Sequence, residues 1–375
     1  MRYGIDGRYI QDHFPGIGRY TYHLAHQLAM LASQDTLVLF YDPVAKNTRY
    51  DLSTLSGLPN IELVPAPVGT FSLRQQVVLP RLARRHRLDL YHVPSYLAPY
   101  AMPCPIVATI HDLIPYLCPQ SSAPYVRQMF AAFSRLTLRR AARILTDSAS
   151  TRDDLRRTMG ARPAQITVVP LAVDALFTPR QQEETDEVLR RLGIAQPYLL
   201  YVGINKPHKN LERLIDAWLA LPASVRGGHT LVWAGWEDVR YPQARQRVRA
   251  AGKAAGVRIL GPVQEKDLPN LYAGALAFVF PSLYEGFGLP ILEAMACGTP
   301  VACSNRTALA EVAGGAALLF DPEDGAAIRE ALARLLTEPE LRQELTAQGQ
   351  QRVQEFTWQR TAAATLAVYR CVVAR

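Results

Sequence analysis

The sequence has no long hydrophobic run and few cysteines. No apolar segment reaches the length needed to cross a bilayer, and the opening residues MRYGIDGRYI lack the apolar core of a signal peptide. The five cysteines are scattered, without a CxxC pair or the spacing of zinc ligands. We therefore expect a cytoplasmic protein whose thiols are reduced and structural.

Two missing motifs exclude further classes of protein. No basic stretch is interleaved with aromatic residues, so we expect no nucleic-acid partner. The glycine fingerprint of an NAD-dependent oxidoreductase is incomplete, because Thr21 occupies the position of its third glycine. The protein is therefore expected to bind something other than a polynucleotide or a nicotinamide cofactor.

Length and charge indicate two domains of different character. A chain of 375 residues, 49% of them apolar, favours two globular domains over one. Residues 1–180 hold 20 Lys and Arg against 12 Asp and Glu, whereas residues 181–375 hold 21 of each. The positive excess would attract an anionic lipid-linked substrate or a membrane surface. The alternative is an Arg-rich face that is simply solvated.

The most informative stretch is PSLYEGFGLPILEAMA at residues 281–296, which follows a short apolar strand. A glycine-containing turn leads into a predicted helix with Pro290 in its first turn, where a missing N–H costs nothing. In this arrangement of strand, loop and helix start, the backbone amides and the positive end of the helix dipole point at a ligand site. Phosphate is the expected occupant of that site.

Two carboxylates, Glu285 and Glu293, frame this loop and lie eight residues apart. A carboxylate beside a diphosphate is electrostatically unfavourable, whereas sugar hydroxyls donate to it readily. Glu285 therefore suits a sugar ring and Glu293 suits a ribose. The alternative is a buried corner with one capping and one solvated Glu.

Three other predicted strands end in candidate ligands. PGIGRY at residues 15–20 opens a helix after the first strand, His111 follows a buried-type strand, and the segment with Lys206, His208 and Lys209 follows another. Ligands of open α/β sheets gather at the carboxyl ends of strands, so these residues suit a phosphate or a sugar hydroxyl. The alternatives are a plain turn, a backbone-held His and a solvated basic loop.

These segments together resemble those of retaining glycosyltransferases of family 4, and the similarity extends over most of the chain. The strongest resemblance lies in EGFGLPILEAMACGTPV, with its Glu-x7-Glu spacing, and in TIHDLIP. It implies the α/β GT-B fold of two facing Rossmann-like doubly wound domains, with a C-terminal helix that crosses back to the first. We expect an acceptor-binding domain at 1–178 plus 357–375, a linker with a short helix, and a nucleotide-sugar domain at 190–356.

The resemblance also implies roles for individual residues. His111 and Glu285 are expected to be catalytic, with Glu285 at the donor sugar. The expected donor-binding residues are Gly16, Gly18, Lys206, Lys209, Val263, Phe287, Gly288, Leu289 and Glu293.

The chain departs from the family pattern at His208, where Arg is usual, at Ala172, where Gly is common, and at Ile204-Asn205, where a basic residue is frequent. Phosphate neutralisation is thus expected to rest mainly on Lys209.

The reaction implied is transfer of a hexose from a nucleotide-sugar to a glycan or lipid-linked acceptor, with retained configuration. No Asp-x-Asp triplet offers a divalent-cation site, so we expect neither a metal nor a cofactor. The likeness to bacterial surface-polysaccharide mannosyltransferases makes GDP-mannose the first choice of donor. The alternatives are a UDP- or dTDP-sugar donor, a sugar-nucleotide 2-epimerase and a non-catalytic nucleotide-sugar-binding subunit.

A basic amphipathic segment at residues 71–87 bears on the membrane question. Its helix is expected to be kinked or split by Pro80. It can lie peripherally on the inner face of an anionic membrane, or it can be an ordinary surface helix of a doubly wound domain.

Overall fold

A computed structural model describes residues 1–252 and 255–374 of the chain. The chain divides into two compact units. The first unit comprises Met1–Leu117, Ala123–Leu171 and Thr357–Arg375, and the second comprises Cys118–Ser122 and Ala172–Phe356. Each unit is an α/β structure built on one parallel sheet.

The first unit contains a seven-stranded sheet in the order β3-β2-β1-β4-β5-β6-β7. Its strands are β1 Arg2–Asp6, β2 Thr36–Tyr41, β3 Ile61–Pro65, β4 Leu90–Val93, β5 Ile106–Thr109, β6 Arg143–Thr146 and β7 Ile166–Val168. Within residues 1–171 its helices are α1 Pro15–Leu31, α2 Leu52–Ser56, α3 Gln75–Arg85, α4 Ile114–Leu117, α5 Pro124–Arg140 and α6 Ala149–Met159. The central strands are buried along their whole length, as expected for a parallel sheet covered by helices on both faces.

The second unit contains a six-stranded parallel sheet in the order β10-β9-β8-β11-β12-β13. Its strands are β8 Tyr198–Val202, β9 Thr230–Ala234, β10 Val257–Gly261, β11 Ala277–Phe280, β12 Val301–Ser304 and β13 Leu318–Phe320. Its helices are α7 Gln182–Leu192, α8 Leu211–Leu219, α9 Ala223–Arg226, α10 Gln243–Ala251, α11 Leu268–Ala273, α12 Leu289–Ala296, α13 Ala308–Ala313, α14 Gly325–Thr337 and α15 Pro339–Val353. Both sheets thus have the doubly wound topology expected of Rossmann-like domains.

The last helix, α16 (Trp358–Val373), belongs to the first unit. The Thr361 hydroxyl at its start donates to the Pro170 carbonyl at 2.8 Å, and the Tyr369 ring packs against Tyr3 of β1. The chain therefore returns to its N-terminal unit at its C-terminal end, as the family fold implies.

The unit boundaries differ from the predicted domain limits. The second unit begins at Ala172 and also takes in residues 118–122, whereas the sequence suggested limits at 178 and 190. The helix predicted as part of a linker, α7, packs within the second unit: Thr185 donates to the side chain of Asn270, and Arg191 forms an ion pair with Asp267. The burial of Val188 and Leu189 on α7 was not evident from its Gln- and Glu-rich composition.

Pro80 was expected to kink or split the basic segment. It does not split the helix, because α3 runs continuously through it while residues 71–74 lie outside the helix. Pro80 is the sixth residue of α3, so it deprives only the carbonyl of Gln76 of an intrahelical donor.

Candidate active site

The second sheet reverses its winding between β8 and β11. Strands β9 and β10 lie on one side of β8, and strands β12 and β13 lie on the other side of β11. Ligands of open α/β sheets bind outside the carboxyl ends of the strands at such a reversal. The Lys209 loop follows β8 and the Glu285 loop follows β11, so the two predicted ligand loops flank this position.

Lys209 and Glu285 form an ion pair across this position. Lys209 Nζ donates to Glu285 Oε1 at 2.7 Å, with 18% and 10% of the two side chains exposed. The ammonium also lies 5.2 Å from the centroid of the Phe280 ring at the end of β11. Since an ammonium has three N–H donors, Lys209 can hold the carboxylate and still donate to a phosphate oxygen. The pair therefore offers a way to place Glu285 beside a diphosphate without an uncompensated charge.

Hydrogen bonds tie the two loops to each other. Asn210 adopts a left-handed conformation with φ of 58°, and its Nδ2 donates to the carbonyls of Pro281 at 3.0 Å and Pro322 at 2.7 Å. The backbone N–H of Leu283 donates to the His208 carbonyl at 2.7 Å. The separation of Lys209 and Glu285 is thus fixed by the surrounding loop structure as well as by their own attraction.

Thr307 supports the Glu285 loop from the next strand end. Its Oγ1 accepts from the Glu285 backbone N–H at 3.2 Å, and its own backbone has a φ of 56°. A positive φ is unfavourable for a β-branched residue and is found mostly where the surrounding structure imposes it, often at functional sites. Nothing in the sequence pattern pointed to Thr307.

The start of α12 is arranged as the sequence predicted. Gly288 caps the helix with a φ of 119°, and a Cβ at this position would lie 2.7 Å from Leu309 Cδ2. Glycine is therefore required by the backbone conformation at this position. Phe287 is buried against the Phe356 ring, so any contact of Phe287 with a donor is made by its backbone. Leu289, half-buried, is the first residue of the helix.

Glu293 lies on α12 with 6% of its surface exposed. Its Oε2 accepts from the hydroxyl of Tyr272 at 3.0 Å, and the Tyr272 ring packs against Phe278 of β11. This hydrogen bond orients the carboxylate, which suits the predicted role as an acceptor for ribose hydroxyls. Tyr272 was not identified from the sequence.

Lys206 and Val263 lie at the carboxyl edge of the same sheet, and both are half-buried. Lys206 precedes the short turn that carries Lys209, and Val263 lies two residues beyond the end of β10. Next to Lys206, Asn205 donates to the carbonyls of Asp238 at 3.1 Å and Tyr241 at 2.6 Å. The loop after β9 is thereby attached to the loop after β8.

His208 does not replace the family arginine as a cation. It is buried, and its Nδ1 forms a 2.8 Å hydrogen bond with Ser121 Oγ. Burial lowers the pKa of His208 to about 4, so the ring is neutral at neutral pH. The structure therefore leaves the positive charge of this loop to Lys206 and Lys209.

In the first unit, Gly16 and Gly18 lie in the first turn of α1. A Cβ at Gly16 would meet no atom within 4 Å, whereas one at Gly18 would lie 3.0 Å from the Tyr9 carbonyl oxygen. The glycine at 18 is thus explained by packing inside the unit. The space beside Gly16 is compatible with a close ligand, and the first amides of a helix of this length are suited to anions.

His111 follows β5, and its Nδ1 lies 2.7 Å from Oδ2 of Asp147, which follows β6. Burial lowers the pKa of His111, but the Asp147 carboxylate, followed by Asp112 and the Pro94 backbone, raises it above the ordinary value. The Tyr20 ring of α1 packs edge-on against the imidazole at a centroid distance of 4.9 Å. Asp147 was overlooked in the sequence, although its position directly after a strand was a usable signal.

A chain of buried polar groups lies behind His111. Tyr369 of α16 bonds to His92 Nδ1 at 2.5 Å, His92 Nε2 bonds to Thr109 at 2.7 Å, and Thr109 bonds to the Tyr20 hydroxyl at 3.0 Å. Burial lowers the pKa of His92 to about 3, so this chain is uncharged at neutral pH. It fixes the orientation of Tyr20, against which His111 packs.

Comparisons with known proteins agree with this architecture. The model of glycosyl transferases group 1 matches residues 184–352, and that of glycosyltransferase family 4 matches residues 15–175. An O-antigen chain mannosyltransferase B from Escherichia coli is 33% identical over 369 residues, which are 95% of this chain and 96% of the relative. The chain therefore belongs to the family 4 glycosyltransferases.

Two further similarities are to a mannosyltransferase sequence and to a solved structure. The MMP alpha-(1->4)-mannosyltransferase of Mycolicibacterium hassiacum is 30% identical and covers 82% of this chain and 75% of the relative. The crystal structure of Anabaena Alr3699/HepE in complex with UDP-glucose has a TM-score of 0.73 at 19% identity, covering 98% of this chain and 99% of the other. The second likeness shows the GT-B fold alone.

Proposed function

We propose that the protein transfers mannose from GDP-mannose to a glycan or lipid-linked acceptor with retention of configuration and without a metal ion. The observation that carries the proposal is the Lys209–Glu285 pair at the winding reversal of the second sheet. The pair supports the proposal because an ammonium that can donate to a phosphate and a carboxylate that can accept from hydroxyls lie within one hydrogen bond of each other. The similarity to the Escherichia coli mannosyltransferase supports mannose as the sugar.

The leaving diphosphate is proposed to be stabilised by fixed charges and dipoles of the protein. Lys209 supplies a full positive charge, Lys206 a second one nearby, and the amides at Gly288 and Leu289 the positive end of α12. Preorganised groups of this kind lower the barrier because they need no reorganisation as charge develops. In this proposal these groups neutralise the charge that a divalent cation neutralises in metal-dependent transferases.

Glu285 and His111 are proposed to act on the transferred sugar and its phosphate. Glu285 would accept from donor sugar hydroxyls and stabilise the oxocarbenium-like state, while His111 would donate to a hydroxyl or a phosphate oxygen. The departing phosphate oxygen would take the proton of the attacking acceptor hydroxyl on the same face. The glycosidic bond to phosphate breaks as the bond to the acceptor oxygen forms, so the configuration is retained.

A transfer assay with nuclear magnetic resonance detection tests this proposal. The protein is incubated with GDP-mannose, a mannose-containing acceptor panel and EDTA, and the anomeric signal of the new linkage is recorded. We expect an α-linked product, as in the donor, and release of GDP at an undiminished rate in EDTA. A β-linked product would contradict retention, and activity restored only by added Mg²⁺ or Mn²⁺ would contradict metal independence.

Control incubations separate the alternative functions. Parallel reactions contain UDP-glucose or dTDP-rhamnose in place of GDP-mannose, and another contains donor without acceptor. Transfer with a uridine or thymidine donor would keep the enzyme class and replace the donor. A changed sugar in the absence of acceptor would indicate an epimerase, and binding without any turnover would indicate a non-catalytic subunit.

We further propose that the first unit docks peripherally on an anionic membrane at the inner face. Phe71, Leu73 and Val77 are 55%, 81% and 48% exposed, and they lie just before or at the start of α3. The exposed residues that follow on α3 include Arg81 and Arg84. Apolar side chains beside arginines suit the boundary between acyl chains and acidic headgroups. Among the described residues no helix is long and apolar enough to span a bilayer.

Vesicle sedimentation tests the docking proposal. We expect binding to vesicles that contain phosphatidylglycerol but not to pure phosphatidylcholine vesicles, with loss at high salt. The double substitution of Leu73→Ser and Arg81→Glu should abolish binding, while Arg157→Glu, on an exposed part of α6, should leave it intact. If the double variant and Arg157→Glu bind equally well to the phosphatidylglycerol vesicles, α3 is an ordinary surface helix.

A further inference from the structure

His111 and Asp147 face each other because of the strand register. β5 and β6 are parallel neighbours in which Thr109 pairs with Leu145. The residues two positions further along, His111 and Asp147, therefore leave the sheet side by side. Their side chains meet with Nδ1 of His111 2.7 Å from Oδ2 of Asp147. The pair is built into the edge of the sheet.

The Asp147 carboxylate depends on His111 for compensation. Asp147 is 2% exposed, and its Oδ1 has no hydrogen-bond partner in residues 1–252 and 255–374. A buried carboxylate is costly unless a strong donor or a cation accompanies it. The Nδ1–H group of His111 fills this role, and the proton on that nitrogen is thereby fixed.

The other ring nitrogen of His111 makes no strong hydrogen bond of its own. Nε2 is buried and has no partner of ordinary hydrogen-bond distance and angle within the described part of the chain, although the Pro94 backbone lies close enough to raise the pKa of the ring. The Tyr20 ring packs against the imidazole and limits its rotation. Because Nδ1 is committed to Asp147, Nε2 is the ring atom left to bond to a ligand oxygen.

We propose that Asp147 is a positioning residue that keeps His111 protonated, so that Nε2–H donates to an oxygen of the bound nucleotide-sugar. This inference rests on the proposed function for the identity of the ligand. No proton is transferred in the step: His111 contributes a hydrogen bond and a positive charge to a sugar hydroxyl or phosphate oxygen. Such a charge is most useful where negative charge develops on the leaving group.

The groups around His111 favour the protonated ring overall. Burial lowers the pKa of His111, whereas Asp147, and after it Asp112 and the Pro94 backbone, raise it above the ordinary value. His92 on β4 and Tyr20 on α1 are uncharged at neutral pH because burial disfavours their ionised forms. His111 therefore holds its proton below its raised pKa and loses it as the pH rises through that value.

The substitution Asp147→Asn tests the proposal because it keeps the shape and an accepting oxygen but removes the charge. Histidine-labelled protein is titrated by nuclear magnetic resonance, and the spectrum of a His111→Gln variant assigns the ring signal. We expect the pKa of His111 to fall by about one unit or more. The alkaline limb of kcat/KM should move to lower pH by the same amount, with about a tenfold loss at pH 8 and a smaller loss at pH 6.

Asp154→Asn is the matched control, because Asp154 is also buried but pairs with Arg157 at 2.6 Å on α6. It should leave the His111 titration and the pH profile unchanged, and thermal unfolding shows that both variants fold. An unchanged His111 pKa in Asp147→Asn, or an equal loss of activity at every pH, overturns the proposal. If the wild-type protein transfers no sugar, the proposed function fails, while the titration still decides the role of Asp147.

Discussion

The two candidate sites carry their charges differently. In the second unit, the partly exposed Lys209 pairs with the nearly buried Glu285, and the two come from separate loops. In the first unit, His92, Thr109 and Tyr20 form a buried, uncharged chain behind His111. Charges near the surface can exchange partners with an arriving ligand, whereas a buried neutral chain fixes geometry. We therefore expect substitutions in the second unit to change ligand binding and turnover, and those in the buried chain to change stability.

The largest effect is expected for Glu285→Gln. Turnover should fall about 100- to 1000-fold, because the sugar loses an acceptor that stabilises the transition state. The affinity for GDP should stay the same or increase, since Lys209 is released from its ion pair. Steady-state kinetics and calorimetry measure the two quantities, with the exposed Glu323→Gln as control. Turnover within about threefold of the wild type would show that Glu285 is not catalytic.

Lys209→Met should show the opposite pattern. GDP affinity is expected to fall about 10- to 100-fold, as for loss of a charged hydrogen bond. Lys206→Met serves as the matched comparison. It should lower GDP affinity only about threefold, because Lys206 is not placed beside Glu285 as Lys209 is. Calorimetry with GDP and GMP checks both variants. Equal losses would mean that the phosphate is held by diffuse positive charge and not by Lys209.

A smaller effect is expected for Glu293→Gln. It should weaken GDP and guanosine binding by about tenfold, because the ribose hydroxyls lose a charged acceptor. Binding of inorganic pyrophosphate should not change. Tyr272→Phe removes only the hydrogen bond that orients Glu293 and should have a weaker effect of the same kind. An effect of Glu293→Gln on pyrophosphate would contradict the assignment to ribose.

The last effect concerns stability and not catalysis: it is the pH dependence of the free energy of unfolding at His92. Since its pKa is about 3 in the folded state and about 6.5 when unfolded, the unfolded chain takes up a proton first as the pH falls. Acidification from pH 7 to pH 5 should therefore cost about 2 kcal/mol in the free energy of unfolding.

The variant His92→Gln should lose this part of the acid sensitivity, whatever its stability at pH 7. Urea unfolding at the two pH values measures it, and the exposed His13→Gln is the control. An unchanged pH dependence in His92→Gln would show that His92 is not held neutral in the folded state.

The sequence was most informative where its pattern has one physical cause. Apolar strands followed by glycine turns predicted both parallel sheets, and Pro290 with Gly288 predicted the start of α12 as the structure has it. Lys209 and Glu285 were predicted separately, but their ion pair depends on residues 76 positions apart, which no local pattern describes. The roles of the predicted site residues stay predictions.

Side chains that act through other side chains were missed. Asp147, Thr307 and Tyr272 each bond to a predicted site residue from a different strand or helix. Their positions follow from strand register and helix packing, which a single sequence does not specify. Asp147 alone had a local signal, since it directly follows a strand at the carboxyl edge where His111 was already expected.

A thermal-shift panel of GDP, UDP, dTDP and ADP and their sugars, in EDTA, with the wild type and Lys209→Met, tests the donor site most directly. A nucleotide that binds the folded state raises its melting temperature by mass action. We expect a clear shift with GDP and GDP-mannose that is lost in Lys209→Met. The absence of a shift with every nucleotide, or an undiminished shift in Lys209→Met, would contradict a donor site at the Lys209–Glu285 pair.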